Sequence, residues 1–219
     1  VIQRMSTERI ALTQPIESRN GTFSKDSYSS NCFFEIRDQK REFVKRPGLV
    51  SVVQVTPVTP PSMLQSQGLV AFGSNLVCVI NNTMYLVNGS SYAVTSVGTT
   101  SSVSNQGYFA KTLLDTVLFY HNKVNGYTLN SGSTSLNSSL TNFPSGPFVS
   151  GAVFLDGYIF IADTSNKIWN SNLGDPTSWD PLGYISFEQT SDTLIGIAKH
   201  LNYLVAFGYK SIQFYYDAG

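Results

Sequence analysis

The chain has 219 residues, enough to bury a sizeable core without a metal or disulfide staple, as one large β domain or two ordinary domains. Only 13% of the residues are charged while 13% are aromatic, a composition typical of all-β proteins with many short turns. The formal net charge is zero, so nothing global predicts binding to nucleic acid or to an anionic membrane. No stretch approaches the ~20 apolar residues of a membrane-spanning helix.

The beginning of the chain differs from the rest in charge. Residues 1–50 hold nine Lys or Arg against six acids, whereas residues 51–219 hold five against eight. The charged part ends in a Pro-rich bridge, Thr56-Pro-Val-Thr-Pro-Pro61, which resists both helix and central strand. We therefore predict an irregular N-terminal arm over residues 1–61 and a β body over residues 62–219.

The body repeats a hairpin-like unit in which an apolar strand, a tight turn and a second apolar strand follow one another. Four turns mark the units, about 40, 35 and 44 residues apart: Asn81-Asn82, His121-Asn122, Asp156-Gly157 and His200-Leu201-Asn202. Asn and Asp-Gly suit such turns because they tolerate positive φ. A further polar strand follows two of the units, at 167–171 and 211–216. Three to four strands per repeat predict the blades of a β-propeller, buried on both faces, with a generic β-sandwich as the alternative.

The number of units bears on whether the array is closed. Four blades are few for a closed ring, and the sequence stops at Asp217-Ala-Gly219 directly after a strand. We therefore expect an incomplete array of three- to four-stranded antiparallel blades, with the missing blades beyond Gly219.

A search for catalytic chemistry finds no convergent set. His121 and His200 both fall at hairpin tips, where they are expected to be turn residues. No GxSxG elbow, no Ser-His-Asp order and no Gly-rich phosphate loop before a helix is present. Cys32 and Cys78 belong to no CxxC pair and have no His cluster near them in sequence. We predict no enzyme activity, no metal and no cofactor.

A glycosidase needs two carboxylates that face each other across a cleft. Asp156 belongs to its turn, Asp175 and Asp180 precede Pro and are expected to open turns, and Asp192 lies in a polar loop with Glu188. With Asp163 added, no two of these acids stand out as a pair. The polar turn before Trp179 is expected to end with that side chain in an inter-blade seam, its indole N–H still needing a partner.

A basic cluster lies in the arm, among the acids Glu35, Asp38 and Glu42. Mixed signs favour a solvated face or a protein interface over a phosphate track. The predicted arm contacts are Arg37, Lys40, Arg41, Lys45 and Arg46.

Two sets of motifs resemble one family. In the arm, Asn31-Cys-Phe-Phe-Glu35 precedes Lys45-Arg-Pro-Gly-Leu49, and near the end Thr177-Ser-Trp-Asp180 precedes Leu204-Val-Ala-Phe-Gly208 and Phe214-Tyr-Tyr-Asp-Ala-Gly219. In this order they resemble the tail-hub, or nozzle, proteins of short-tailed bacteriophages, the P22-like packaged-DNA stabilisation proteins. The middle, residues 87–145, is similar only in its repeat pattern.

The resemblance implies a virion tail component made in the bacterial host cytoplasm. It implies a hexameric homo-oligomer that forms a ring-shaped hub below the portal and its head-to-tail adaptor ring. Such a hub binds tail spikes or fibres and a plug or needle protein, retains packaged DNA and passes it through a lumen without reading its sequence. No membrane partner is implied.

Two other functions stay open. One is a carbohydrate-binding or glycan-hydrolysing propeller acting in receptor recognition, with Tyr158, Trp169 and Trp179 as stacking platforms for sugars. The other is a protein-interaction propeller of bacterial origin.

Overall fold

The computed structural model describes residues 65–101, 106–187 and 192–216, residues 53 and 55, and the backbone of two strands at 32–37 and 40–45. The contacts divide the chain into two units, Val1–Ser51 and Val52–Gly219. The predicted boundary between residues 61 and 62 lies outside the described residues and stays a prediction.

The first unit contains a two-stranded antiparallel hairpin, in the segment that we predicted to be irregular. Strand β1 (Cys32–Arg37) pairs with β2 (Lys40–Lys45), so that Arg37 lies opposite Lys40 and Cys32 opposite Lys45. The sequence places Phe, Ile and Val among the charges, and these residues favour strands. Because charged residues lie between these apolar residues, the sequence did not predict the two strands.

The described residues of the second unit form four antiparallel sheets, each a meander of consecutive strands. We call them blades 1 to 4. Blade 1 is β3 (Ser66–Phe72), β4 (Asn75–Ile80), β5 (Thr83–Asn88) and β6 (Val94–Thr99). Blade 2 is β7 (Tyr108–Lys111), β8 (Val117–His121) and β9 (Gly126–Asn130). Blade 3 is β10 (Val153–Leu155), β11 (Tyr158–Ala162), β12 (Lys167–Asn172) and β13 (Asp175–Ser186). Blade 4 is β14 (Leu194–His200), β15 (Tyr203–Gly208) and β16 (Ile212–Tyr216).

Three buried seams hold consecutive blades together. Between blades 1 and 2, Val77, Val79 and Met84 pack with Tyr120 and Leu129. Between blades 2 and 3 the cluster centres on Phe119, Ile161 and Trp179, and between blades 3 and 4 it centres on Leu155, Ile168 and Leu204. Alternate residues of a strand serve opposite seams, which explains the nearly continuous apolar strands of the sequence. The predicted array of three- to four-stranded blades is confirmed.

The array is open among the described residues. Each buried cluster joins one blade to the next in chain order, and none joins blade 4 to blade 1. The described residues form no α-helix, and a short 3₁₀ turn at Leu113–Asp115 is the helical element that they contain.

Two predicted turns are strands instead. Asp175-Pro176 and Asp180-Pro181 lie within β13, which is the edge strand of blade 3 and pairs with β12 through two register shifts. An edge strand accommodates Pro because one side of the strand has no neighbour, so a residue without an N–H on that side costs the sheet no hydrogen bond. The turn chemistry of the Asp residues persists inside the strand, since Asp175 accepts from the Thr177 N–H at 2.9 Å and Asp180 from the Leu182 N–H at 2.9 Å.

Candidate functional site

The hairpin tip of blade 1 fixes the start of the blade. Asn81 has φ of 52°, and its side-chain oxygen accepts a hydrogen bond from the Gln65 N–H at 2.9 Å, while the Asn81 N–H donates to the Gln65 carbonyl at 2.8 Å. The carbonyl of Asn82 accepts from the Thr100 N–H at 2.6 Å. The chain turns at Asn81 and Asn82, and this tip holds both the entry and the exit of blade 1.

The hairpin tip of blade 3 has positive φ angles at two positions, and residues that tolerate such angles occupy both. Asp156 and Gly157 have φ of 49° and 88°, the two positive values that a type I′ hairpin requires. The Gly157 carbonyl accepts a hydrogen bond from the Gly174 N–H at 2.8 Å, so the neighbouring hairpin turn packs against this one. The chain turns at Asp156-Gly157 between β10 and β11.

Trp179 lies in the seam that the sequence predicted for it. The ring is 1% exposed, and its centroid lies 5.8 Å from Phe119 of blade 2 and 5.2 Å from Phe143. Its indole N–H donates to the Pro176 carbonyl at 3.2 Å, which supplies the partner that the sequence left open. Trp179 is a strand residue of β13 and not the end of a turn.

Ser150 and Gly151 form a junction between three blades. From blade 2, the Tyr108 hydroxyl donates to Ser150 Oγ at 2.8 Å and His121 Nε2 donates to the Gly151 carbonyl at 2.9 Å. From blade 4, the Ile197 N–H donates to the Ser150 carbonyl at 2.8 Å. Ala152 alone separates these residues from β10 of blade 3, so one dipeptide fixes the positions of blades 2, 3 and 4. We call it the Ser150 junction.

His121 does not occupy the hairpin tip that the sequence assigned to it. It is the last residue of β8 and is fully buried, stacked on Tyr108 at 5.3 Å and edge-on to Phe148 at 5.6 Å. The turn is longer than expected and begins at Asn122, whose side-chain oxygen accepts from the Asn125 N–H at 2.9 Å. His200, by contrast, ends β14 and is exposed.

The partners of His121 define its protonation state. The Lys123 N–H donates to Nδ1 at 3.3 Å, so Nδ1 accepts and the proton resides on Nε2, which faces the Gly151 carbonyl. Burial lowers the pKa of His121 to about 4, against a smaller opposing contribution from the Gly151 carbonyl. The imidazole is therefore neutral at neutral pH, and it acts as a structural donor within the Ser150 junction.

Two of the carboxylates weighed as catalytic acids organise loops. Asp192 accepts hydrogen bonds from the N–H groups of Lys210 at 2.8 Å and Tyr209 at 3.1 Å and from the Ser211 hydroxyl at 2.8 Å. The Lys210 N–H contributes most to holding the pKa of Asp192 below its ordinary value. Asp163 accepts from the Lys167 N–H at 3.0 Å and from the indole N–H of Trp169 at 2.9 Å. Sequence reasoning missed both roles, although Asp163 lies just before a turn.

The arm residues are placed only by backbone register. Arg37 ends β1, Lys40 begins β2, and Arg41 and Lys45 lie further along β2. Arg46 lies outside the described residues, as does the acid Glu188. The assignment of these basic residues to partner contacts stays a prediction.

The three aromatic side chains that were predicted to stack on sugars differ in their accessibility and contacts. Trp179 is inaccessible, and Trp169 is held by Asp163, with the Lys167 ammonium 5.4 Å from its ring centroid. Tyr158 lines a cleft of about 310 Å³ between blades 3 and 4. Its other lining groups are Leu155, Asp156, Phe160, Asn170, Ile185, Leu204, Tyr215 and Tyr216.

Within the described ranges, no three His, Cys, Asp or Glu side chains are grouped so that they could hold a metal ion. No helix in the part of the chain that the structure describes has the length and apolarity needed to cross a membrane. Cys78, which is buried, is a free thiol, and burial raises its pKa.

Consecutive meander blades joined by face-to-face seams define a β-propeller-type protein. The particular family follows from the sequence of the same region. Residues 43–219 match the phage stabilisation family model described as the β-propeller of bacteriophage P22 Gp10. The match extends over more than half of the chain, and the chain belongs to this family, as the resemblance of its motifs implied. It is a phage protein of a structural β-propeller family.

Solved structures share the fold at low sequence identity. The computationally designed Ika4 protein is 8% identical with a TM-score of 0.52, over 73% of this chain and 95% of Ika4. YCF48 bound to D1 peptide is 12% identical with a TM-score of 0.51, over 85% of this chain and 65% of that one. A chain of the Mitotic Checkpoint Complex is 10% identical with a TM-score of 0.50, over 78% and 58%. No curated protein sequence matches this chain closely enough to count as a relative.

Proposed function

We propose that the chain is a non-catalytic structural component of a short-tailed phage tail. In this function, identical subunits form a ring-shaped hub, or nozzle, below the portal and its adaptor. The ring retains packaged DNA, carries spikes or fibres, holds a plug or needle and forms the conduit for DNA ejection. The observation that carries the proposal is the family match over residues 43–219.

The blade architecture supports a mechanical role. Seams such as Phe119–Trp179 are buried and aromatic, and hydrogen bonds at the Ser150 junction cross between three blades. Close-packed interiors of this kind transmit force with little deformation. A subunit that seals and then conducts DNA under pressure needs that rigidity.

The charge distribution supports docking by the arm and a lumen that does not hold DNA. Residues 1–50 carry an excess of three positive charges and residues 51–219 an excess of three negative charges. A weakly acidic body repels the phosphate backbone, whereas a basic arm attracts an acidic surface of the adaptor. The residues that we assign to this contact are Arg37, Lys40, Arg41, Lys45 and Arg46.

Adaptor-capped, DNA-filled heads that lack this protein test the function. Added full-length chain should co-sediment with the heads and protect their DNA from nuclease. Arg41→Glu should weaken the binding at least tenfold, whereas Lys210→Glu, a charge reversal at an exposed position of the body, should leave it unchanged. Heads that neither bind the chain nor gain protection would contradict the proposal.

One observation favours carbohydrate binding as a second candidate. The cleft between blades 3 and 4 combines the rings of Tyr158, Phe160 and Tyr215 with the polar groups of Asp156 and Asn170. Its volume of about 310 Å³ is at the lower end of small-molecule sites. Binding of host surface glycan that Tyr158→Ala abolishes and Tyr209→Ala preserves would favour this function. A glycan titration without any signal would exclude it.

A further inference from the structure

Among the described residues, Asn precedes Gly at two positions. Asn88-Gly89 lies where β5 leads into the turn before β6, and Asn125-Gly126 lies at the start of β9. An Asn side chain in this context is prone to lose its amide without an enzyme, because Gly has no side chain to keep its backbone nitrogen away from the amide carbon. The reaction is an intramolecular acyl transfer, so it is favoured by a backbone N–H that solvent can deprotonate and by hydrogen-bond donors for the oxyanion that forms on Oδ1.

The Asn88 side chain already has donors at the position of that oxyanion. Its Oδ1 accepts hydrogen bonds from the N–H groups of Ser90 at 2.9 Å and Ser91 at 2.8 Å. Two backbone N–H groups directed at one carbonyl oxygen form the arrangement of an oxyanion hole. They draw electron density from Cγ before the attack and stabilise the negative charge on Oδ1 after it.

The nucleophile is accessible to solvent. Asn88 and Gly89 are both exposed, and the Gly89 N–H has no hydrogen-bond partner among the residues that the structure describes. Hydroxide can therefore remove its proton, which is the step that makes an amide nitrogen nucleophilic. A hydrogen bond from the Tyr92 N–H to the Asn88 carbonyl at 2.9 Å holds the turn around the reacting pair.

The fold requires both members of this pair. A Cβ at residue 89 would overlap the Ser74 carbonyl oxygen of the neighbouring turn, so the close backbone contact needs Gly89. Asn88 supplies the acceptor for the N–H groups of Ser90 and Ser91, which end the strand in a turn. The chain therefore keeps a labile dipeptide at this position.

The second dipeptide lacks these features and serves as an internal comparison. Gly126 is buried and pairs with His121 in the β8–β9 ladder, and the Phe143 ring occupies the space of a Cβ at residue 126. The Asn125 amide nitrogen donates to Ser101 Oγ, while no N–H of a described residue donates to its Oδ1. The folded chain therefore protects Asn125.

We propose that Asn88 is a site of spontaneous deamidation in the folded protein. The Gly89 nitrogen bonds to Asn88 Cγ, the Cγ–Nδ2 bond breaks, and ammonia leaves after taking up, through solvent, the proton that Gly89 lost. Water then opens the resulting succinimide ring. Cleavage of the Cγ–nitrogen bond gives aspartate, and cleavage of the main-chain carbonyl–nitrogen bond gives isoaspartate.

The products change the charge and the backbone of blade 1. The sequence contains no Asp, Glu, Lys or Arg from Pro47 to Ala110, and either product adds a carboxylate to this uncharged stretch. Isoaspartate also lengthens the main chain by one methylene group between the Asn88 N–H, which donates to the Ala93 carbonyl at 2.9 Å, and the rest of the turn. Ageing of the protein should therefore give a more acidic form that ion-exchange chromatography separates.

The site does not depend on the proposed tail function, and the purified full-length chain tests it. During incubation at mildly alkaline pH, peptide mass spectrometry should show Asn88 converting at least about tenfold faster than Asn125 in the folded chain. In urea the two rates should become similar, because the residue that follows each Asn is the same. A folded chain in which Asn88 reacts no faster than Asn125, or a ratio of rates that urea leaves unchanged, would overturn the proposal.

A pair of variants tests the oxyanion hole. Ser91→Pro removes one N–H donor from Asn88 Oδ1 and should slow the reaction at Asn88 by about tenfold or more, with unchanged circular dichroism and an unchanged rate at Asn125. The matched control Ser91→Ala keeps the N–H and should react at the wild-type rate. If the turn only restrained Asn88, loss of the donor would speed the reaction, so an equal or faster rate in Ser91→Pro would contradict the assignment.

Discussion

At the scale of single residues, polar side chains buried between blades fix the relative positions of the strands. His121 is the clearest case, because it combines full burial with two directional contacts, to the Gly151 carbonyl at 2.9 Å and from the Lys123 N–H at 3.3 Å. Protonation of Nδ1 would replace an acceptor by a donor facing the Lys123 N–H. It would also bury a positive charge near the Lys123 ammonium, which lies 5.7 Å from the ring centroid of Tyr108.

The stability of the protein should therefore fall with acidification before its carboxylates titrate. The pKa of His121 is about 4 in the folded chain and about 6.5 in an unfolded one, so the folded state binds fewer protons between these values. Stability is complete above pH ~6.5 and decreases by up to about 3 kcal/mol as the pH falls to ~4. Equilibrium urea unfolding across this range measures the change.

Two variants separate His121 from other groups. His121→Gln keeps an N–H donor for the Gly151 carbonyl but does not titrate, so its free energy of unfolding should stay nearly level from pH 6.5 to 4. His200→Gln, at an exposed position, should retain the wild-type decrease. If wild type and His121→Gln show the same pH profile, the buried histidine is not the cause.

Asp192 should be the most sensitive of the acids. Asp192→Asn replaces a carboxylate that accepts from the Lys210 and Tyr209 N–H groups and from Ser211 with a side chain that has one acceptor oxygen. The melting temperature should fall by several degrees. Asp180→Asn is the matched control, because exposed Asp180 accepts from the Leu182 N–H, and it should melt close to wild type. Equal melting temperatures for the two variants would contradict this assignment.

Individual residues also show which local features could be predicted from the sequence. The turns at Asn81-Asn82 and Asp156-Gly157 were predictable, since positive φ is a local requirement met by local residue types. His121 was misplaced because Asn122 and Asn125 can form a turn without it, and nothing local shows which residue begins that turn. The roles of Asp163 and Asp192 depend on donors that folding brings to them, and Asp192 accepts from residues 17 and 18 positions away.

At the scale of elements, the seams depend on close backbone approach. Ser150 forms a parallel bridge with Gly196, and the backbone of Gly151, at φ of 106°, lies so close to β14 that a Cβ there would overlap the Ile197 carbonyl oxygen. Only Gly adopts that backbone angle without strain while leaving room for the strand. The bridge between blades 3 and 4 therefore requires this residue.

Gly151→Ala should destabilise the protein more than a glycine substitution that causes backbone strain alone. Gly132 is the matched control, because it has φ of 75° and no neighbouring atom lies within 4 Å of the position that a Cβ would occupy. Gly132→Ala should cost about 1–2 kcal/mol, and Gly151→Ala about 3 kcal/mol or more because a backbone bridge must also shift. Urea unfolding of both variants measures the difference, and equal losses would show that the approach of β14 to Gly151 is not limiting.

The sequence predicted the hairpins but not strand β13, and the difference has a physical reason. The hairpins of blades 1, 3 and 4 were clear because both strands of each are apolar, as in Leu194–His200 and Tyr203–Gly208. Strand β13 was hidden because Asp175-Pro176 and Asp180-Pro181 carry turn signals that an edge position tolerates. The seam position of Trp179 followed from its size and polarity, but its acceptor, the Pro176 carbonyl, follows from the geometry of the strand.

At the scale of the whole molecule, the proposed function depends on the surfaces of the blade array and of the arm. Residues 43–219 belong to a phage stabilisation family, and residues 66–216 carry four consecutive blades among the described residues. The arm and the cleft at Tyr158 are the surfaces on which the two proposed functions depend. The repeat pattern and the family motifs were readable from the sequence, whereas the cleft between blades 3 and 4 required the structure.

We propose that this protein forms a ring on the tail axis of a short-tailed phage. Electron cryomicroscopy of the assembled particle, with the chain identified by fitting its blades, is the most direct measurement. We predict density for the blade array in a symmetric ring directly beneath the head-to-tail adaptor, with a continuous lumen along the axis. A particle that lacks the protein, or that carries it only at the tips of fibres away from the axis, would contradict the account.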